Sequence, residues 1–177
     1  SNLSNEDNSF YFYIAGNPYA NDKKLDKIKK FATYMKSVDI DNFNVAKVTN
    51  MGEMFYRNTS YNQAMPSWVT SSLTSTIIMF QAANSFNQPL DHFDMSKVTN
   101  ARSMLSFMSI FNQSLTSWDL SSISGDGMDS ILYGSTAFAG DITGWTLPTA
   151  QSYSMLNVVR STNVNQDLSG WDITECT

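Results

Sequence analysis

The sequence predicts an α/β repeat solenoid: short parallel strands and short helical turns, stacked behind an N-terminal capping helix. Two observations carry this. Bulky aromatics recur at Phe43, Trp68, Phe93, Trp118, Trp145 and Trp171, spaced 25, 25, 25, 27 and 26 residues apart, and each sits in the same frame of apolar columns. A fixed period of about 20–50 residues marks a chain of stacked units, none of which can bury its apolar face alone.

The columns follow from the aromatic register. Seven residues before the last five aromatics stand Tyr61, Phe86, Phe111, Phe138 and Val164, followed by Asn-Gln at Asn62-Gln63, Asn87-Gln88, Asn112-Gln113 and Asn165-Gln166. Three residues before the aromatic come Ile40, Met65, Leu90, Leu115, Ile142 and Leu168, and five after it Val48, Leu73, Val98, Ile123 and the weaker Ala150. Segments such as Leu90-x-x-Phe93-x-Met95 and Leu115-x-x-Trp118-x-Leu120 alternate at their ends as a half-buried strand does. The stretches after them, such as 48–58 and 98–108, space apolar residues three and four apart, as in a helical or 3₁₀ turn. Residues 37–177 therefore divide into about six coils of 25–27 residues, the last incomplete.

Residues 1–36 read as a separate cap. Phe10-Tyr-Phe-Tyr-Ile14 suggests a first strand, and Asn21 or Asp22 can N-cap a helix whose Leu25, Ile28, Phe31, Ala32 and Met35 share one face. Its lysines suit a solvated outer face. No cap is visible at the other end, so self-association through the C-terminal coil is expected.

Composition narrows the function. Only 15% of residues are charged, against about 25% in an ordinary domain, and Ser, Thr and Asn take their place. The net charge of −5 is uneven: residues 1–36 hold six lysines against four acids, and residues 37–177 five bases against twelve acids. An acidic repeat region repels phosphates, so nucleic acid is excluded as an expected partner. No apolar run is long enough to cross a bilayer, and direct membrane insertion is not expected. The single cysteine, Cys176, rules out an internal disulfide framework.

The assembled unit, Phe-Asn-Gln-x-Leu-x-x-Trp-Asp-x-Ser-x-Val-Thr-Asn-x-x-x-Met-Phe, resembles the BspA-like surface-protein repeats, in the roughly 25-residue form of mycoplasma-type surface lipoproteins. The resemblance spans residues 37–177 and is best at 43–55, 86–104 and 111–121. It implies a leucine-rich-repeat-like solenoid, extracellular or cell-surface exposure, and a part in adhesion, recognition or assembly, with no shared catalytic residues. One departure stands out. Leucine-rich repeats carry a buried asparagine where this chain has Val48, Leu73, Val98 and Ile123, so the Asn-Gln column is the candidate for an amide ladder at another corner.

No catalytic, cofactor-binding or metal-binding residues are predicted. The sole histidine, His92, has no Ser-Asp or Cys partner in view, and one Cys with one His cannot complete a zinc site. Oxygen ligands occur at Asp126 and Asp129 in a Gly-rich loop, but not at EF-hand spacing; a turn explains that loop better. The candidate binding face is the set of outward positions flanking the buried aromatics: Ser67, Val69, His92, Asp94, Ser117, Asp119, Gly144, Thr146, Gly170 and Asp172. Sequons at Asn2, Asn58 and Asn112 are candidate glycosylation sites. The chain is thus expected to be a non-enzymatic interaction or adhesion module that meets a protein or glycan partner. The alternative is a structural subunit of a coat, filament or larger complex, assembling through its ends or sides.

Overall fold

The computed structural model describes residues 39–177; the expected first strand and capping helix lie outside them. Within them the α/β solenoid expectation is wrong. The one regular helix among the described residues is the three-residue 3₁₀ turn Ile40–Asn42, with the Asp39 carboxylate accepting from the Asp41 amide at its start. Among the described residues there is no α-helix and no sheet, and parallel pairing is confined to isolated bridges such as Asn50 with Ser75, Ser75 with Asn100 and Asp119 with Thr146.

Turns replace both expected elements. In the segments read as strands, the amide of Trp68 donates to the Met65 carbonyl at 3.2 Å, Phe93 to Leu90 at 3.0 Å and Trp118 to Leu115 at 3.2 Å. A second turn follows, as where Val98 donates to Met95 at 2.9 Å and Ile123 to Leu120 at 3.0 Å. Two buried side chains three residues apart are therefore the two ends of a turn.

The stretches read as helical turns are runs of overlapping turns. The amides of Met54, Tyr56 and Asn58 donate back to Met51, Glu53 and Phe55 at 3.2, 3.1 and 3.0 Å. Those of Met51, Glu53, Phe55 and Arg57 reach instead to Ser75, Ile77, Met79 and Gln81 of the next coil, at 3.0, 2.9, 2.8 and 2.8 Å. Alternate amides thus close a turn or hold a neighbour, whereas an α-helix would send each one four residues back. The third residue of the first and last turn of each run takes positive φ, as some turn types require. Two columns do so: Glu53, Ile78, Ser103, Ser130 and Asn157, then Arg57, Ala82, Phe107, Gly134 and Ser161, all between 53° and 72°. Left-handed residues four apart preclude a helix, even though Met51, Met54, Phe55 and Asn58 are buried at helical spacing.

Stacking buries the columns. Ile40, Met65, Leu90, Leu115 and Ile142 are fully buried, as are Tyr61, Phe86, Phe111 and Phe138. The latter four rings stack at centroid distances of 5.8, 6.3 and 5.9 Å. Trp118, Trp145 and Trp171 form a second column at 6.2 and 5.5 Å, with ring planes nearly parallel. Each such aromatic contact adds about 0.5–1.5 kcal/mol beyond area burial, so the core supplies what regular backbone ladders do not.

Candidate interaction surface

The positions flanking the buried aromatics come to the surface together along one edge of the stack. Ser67, Val69, His92, Asp94, Ser117, Gly144, Thr146 and Asp172 are exposed, and Asp119 is half-buried. Several already have partners. Ser67 donates its amide to the Asp41 carboxylate at 2.8 Å, and Ser117 gives Asp91 both its amide at 2.8 Å and its hydroxyl at 2.7 Å. The backbones of Asp119 and Thr146 pair in parallel, with the Leu120 amide donating to the Thr146 carbonyl at 2.8 Å.

Indole and imidazole donors tie this edge to the coil before. The indole N–H of Trp68, Trp118 and Trp145 donates to the carbonyl of Ile40, Leu90 and Leu115 at 2.9, 2.9 and 2.8 Å. Where the column carries Phe93 and has no N–H, His92 Nε2 meets the Met65 carbonyl at 2.9 Å. A carbonyl only accepts, which assigns the proton to Nε2. His92, read from sequence as a solvent-facing residue, is thus also a coil-to-coil tie.

A second ladder runs along the Asn-Gln column. Asn62 Oδ1 accepts from the Asn87 amide at 2.9 Å and from Gln88 Nε2 at 3.0 Å; Asn87 Oδ1 repeats this with Asn112 and Gln113 at the same distances. Asn112 continues it, accepting from the Ala139 amide at 2.7 Å. The Asn62 and Asn87 oxygens each serve two donors in the next coil and Asn112 serves one, the coil-to-coil bonding expected of this column.

The carboxylates cap turns rather than converge. Asp94 is held below its ordinary pKa by the Ser96 hydroxyl and amide, Asp172 by the Thr174 hydroxyl and amide, and Asp141 by the Thr143 amide and hydroxyl. Asp126 pairs with Arg102 at 2.6 Å, and Asp129 accepts from the Leu156 amide at 3.0 Å. Among the described residues no three His, Cys, Asp or Glu side chains gather where they could hold a metal.

Tyr61 stands at the N-terminal end of its ring column. Burial, with the Asp41 and Asp39 carboxylates adding to it, raises its phenol well above the ordinary value. Asn58 beside it is 3% exposed, with its Oδ1 accepting from the Ser60 and Tyr61 amides and its Nδ2 enclosed. The folded protein therefore offers no access to the Asn58 sequon, whereas Asn112 is exposed. Asn2 lies outside the described residues. Cys176 is half-buried and free. No helix among the described residues is long and apolar enough to cross a membrane.

One surface feature is built from residues outside the repeating apolar columns of the sequence. On the ridge of overlapping turns, Phe107 and Ile110 are 49% and 46% exposed. The Phe107 ring meets Tyr133 edge-on at 5.1 Å, and the Arg160 guanidinium lies 5.9 Å from the Tyr133 ring centre. A phenylalanine at the end of an apolar run reads as core; only the positive-φ register, invisible in the sequence, turns it outward.

Stacked repeats held by cross-coil ladders, with no gathered catalytic groups among the described residues, define a repeat protein. The chain belongs to the family described as Mycoplasma protein of unknown function, DUF285, whose pattern matches residues 23–145 and 126–177. No curated protein and no solved structure matches it significantly.

Proposed function

We propose that this chain is a non-enzymatic interaction module of a surface-exposed protein, of the BspA-like type, presenting the edge that carries Ser67, Val69, His92, Asp94, Ser117, Asp119, Thr146 and Asp172 to a protein or glycan partner. The observation that supports this reading is the recurrence of outward residues beside one buried aromatic column, coil after coil. Stacked repeats offer extended partners a long regular surface of this kind. Val69, 55% exposed beside the buried Trp68, is its most apolar contact.

The test is binding to glycan and protein arrays by the intact chain and by Val69→Lys and Thr146→Lys. Among the described residues neither side chain is buried or hydrogen-bonded. Binding lost in both variants, with unfolding midpoints unchanged, supports the reading; binding retained in both refutes this edge as the contact.

A second reading, assembly through the last coil, rests on a specific feature. The amides of Ser130, Leu132 and Gly134 donate to Leu156, Val158 and Arg160, but their counterparts Asn157, Val159 and Ser161 find no acceptor among the described residues. Three free donors at two-residue spacing suit a further repeat or a second copy, as an unpaired strand edge does. Light scattering across a concentration series tests it: growth with concentration supports assembly, and a constant monomer refutes it for the isolated chain.

A further inference from the structure

We infer that the turn ridge around Phe107, Ile110 and Tyr133 is a second docking surface, distinct from the polar edge, and that it takes a protein segment carrying an apolar anchor side chain beside a carboxylate. Among the described residues every other Phe, Tyr and Trp side chain is buried or half-buried, and Phe107 is left half in solvent. Its backbone is left-handed, φ 56°, in a column otherwise filled by Arg57, Ala82, Gly134 and Ser161. A bulky residue there is strained, and strain of this kind persists where the surroundings hold it.

The surroundings do hold it. Gly134, φ 72°, lies directly under the ring, and a Cβ on it would sit 2.8 Å from Phe107 Cδ1. The edge of Tyr133 closes one side. The ring is therefore seated in one orientation with one side open to solvent, and Ile110 extends the apolar surface.

Charge selects the partner. The Arg160 guanidinium hangs beside Tyr133 with a 3.3 Å bond to Asn157 Oδ1. Among the described residues the ion pair on this ridge belongs to Arg102 and Asp126, leaving Arg160 without a carboxylate. A guanidinium presents five donors in a planar fork that matches a carboxylate, and aromatics with arginine are the residues on which protein interfaces concentrate binding. The polar edge, with its short Ser, Thr and Asp side chains, lacks that chemistry.

The experiment is selection of a phage-displayed random dodecapeptide library on the intact protein, then titration of enriched peptides, synthesised, against three variants checked for unchanged thermal unfolding. Phe107→Asn removes the ring with a residue that tolerates positive φ, Arg160→Gln removes the charge, and Val69→Ser alters the other edge. The expected result is peptides with Leu, Ile, Phe or Trp within two residues of Asp or Glu, whose affinity falls at least tenfold in Phe107→Asn and in Arg160→Gln and holds in Val69→Ser. No enrichment, enriched peptides lacking carboxylates, or equal binding to Phe107→Asn would overturn the inference. Loss only in Val69→Ser would overturn it as well, while supporting the polar edge.

Discussion

His92 donates from Nε2 to the Met65 carbonyl at 2.9 Å, in the place that the Trp68 and Trp118 indoles fill in the coils on either side. Two chemically different rings, one residue apart in register, satisfy one column of carbonyls. His92→Ala is expected to lower unfolding free energy by about 1 kcal/mol, the net worth of one such bond. In a Phe93→Trp background the loss should shrink, because the indole can serve Met65. A double-mutant cycle in urea measures this coupling; equal losses in both backgrounds would show that the two donors do not share an acceptor.

Asn87 bonds to the coils on both sides, donating its amide to Asn62 Oδ1 and accepting from Asn112 and Gln113. Asn87→Ala leaves the Asn112 amide and the Gln113 side chain without this partner, and is expected to destabilise by about 1–3 kcal/mol. The urea midpoint should fall with the slope unchanged.

Backbone handedness offers an opposite pair of outcomes. Ile78 is β-branched at φ 58°, a conformation costing a residue of that kind about 1–2 kcal/mol, and it is half-buried. Ile78→Asn should hold stability or raise it by up to about 1 kcal/mol. Gly134→Ala should lower it, through its own positive φ and through the Phe107 ring that a methyl would strike. Thermal unfolding of the two variants decides; a stabilising Gly134→Ala would contradict the positive-φ register.

Stability should narrow at both ends of the pH range. Asp94, Asp141, Asp167 and Asp172 ionise below the ordinary value of 3.8 because Ser or Thr two residues on donates to each. Their contribution is present above that value and is lost as pH falls through the depressed folded values. Tyr61, raised by burial, works in the opposite sense. Its contribution is intact below the unfolded phenol value of 10.0 and wanes above it, as the unfolded chain ionises while the folded one stays neutral. Urea midpoints from pH 2 to 11 should show both limbs; Asp94→Asn should soften the acid limb and Tyr61→Phe the alkaline one.

The period and the buried columns were legible because stacking imposes them whatever the local backbone. Trp118, Leu115 and Phe111 are buried where the register places them, and the amides of Asn62 and Asn87 bridge coils as their column suggests. The elements were not legible. Leu115 and Trp118 lie at the two ends of a four-residue turn, yet their spacing is equally that of a strand entering a repeat; Met51, Met54 and Phe55 keep helical spacing while left-handed residues divide them. Side-chain periodicity reports which residues turn inward and not which carbonyl each amide reaches. The polar edge could be read as positions flanking the aromatics, but its bonding to Asp41 and Asp91 could not, nor could the outward turn of Phe107.

The alternation of amides between turn and neighbouring coil is most directly tested by through-hydrogen-bond couplings in the ¹⁵N,¹³C-labelled protein. The expected cross-peaks join the Phe80 amide to the Met104 carbonyl, Leu105 to Ile131 and Leu132 to Val158, the partners at 2.8, 2.9 and 3.0 Å. Cross-peaks from the same amides to carbonyls four residues earlier would make these runs α-helical and contradict the turn-built stack.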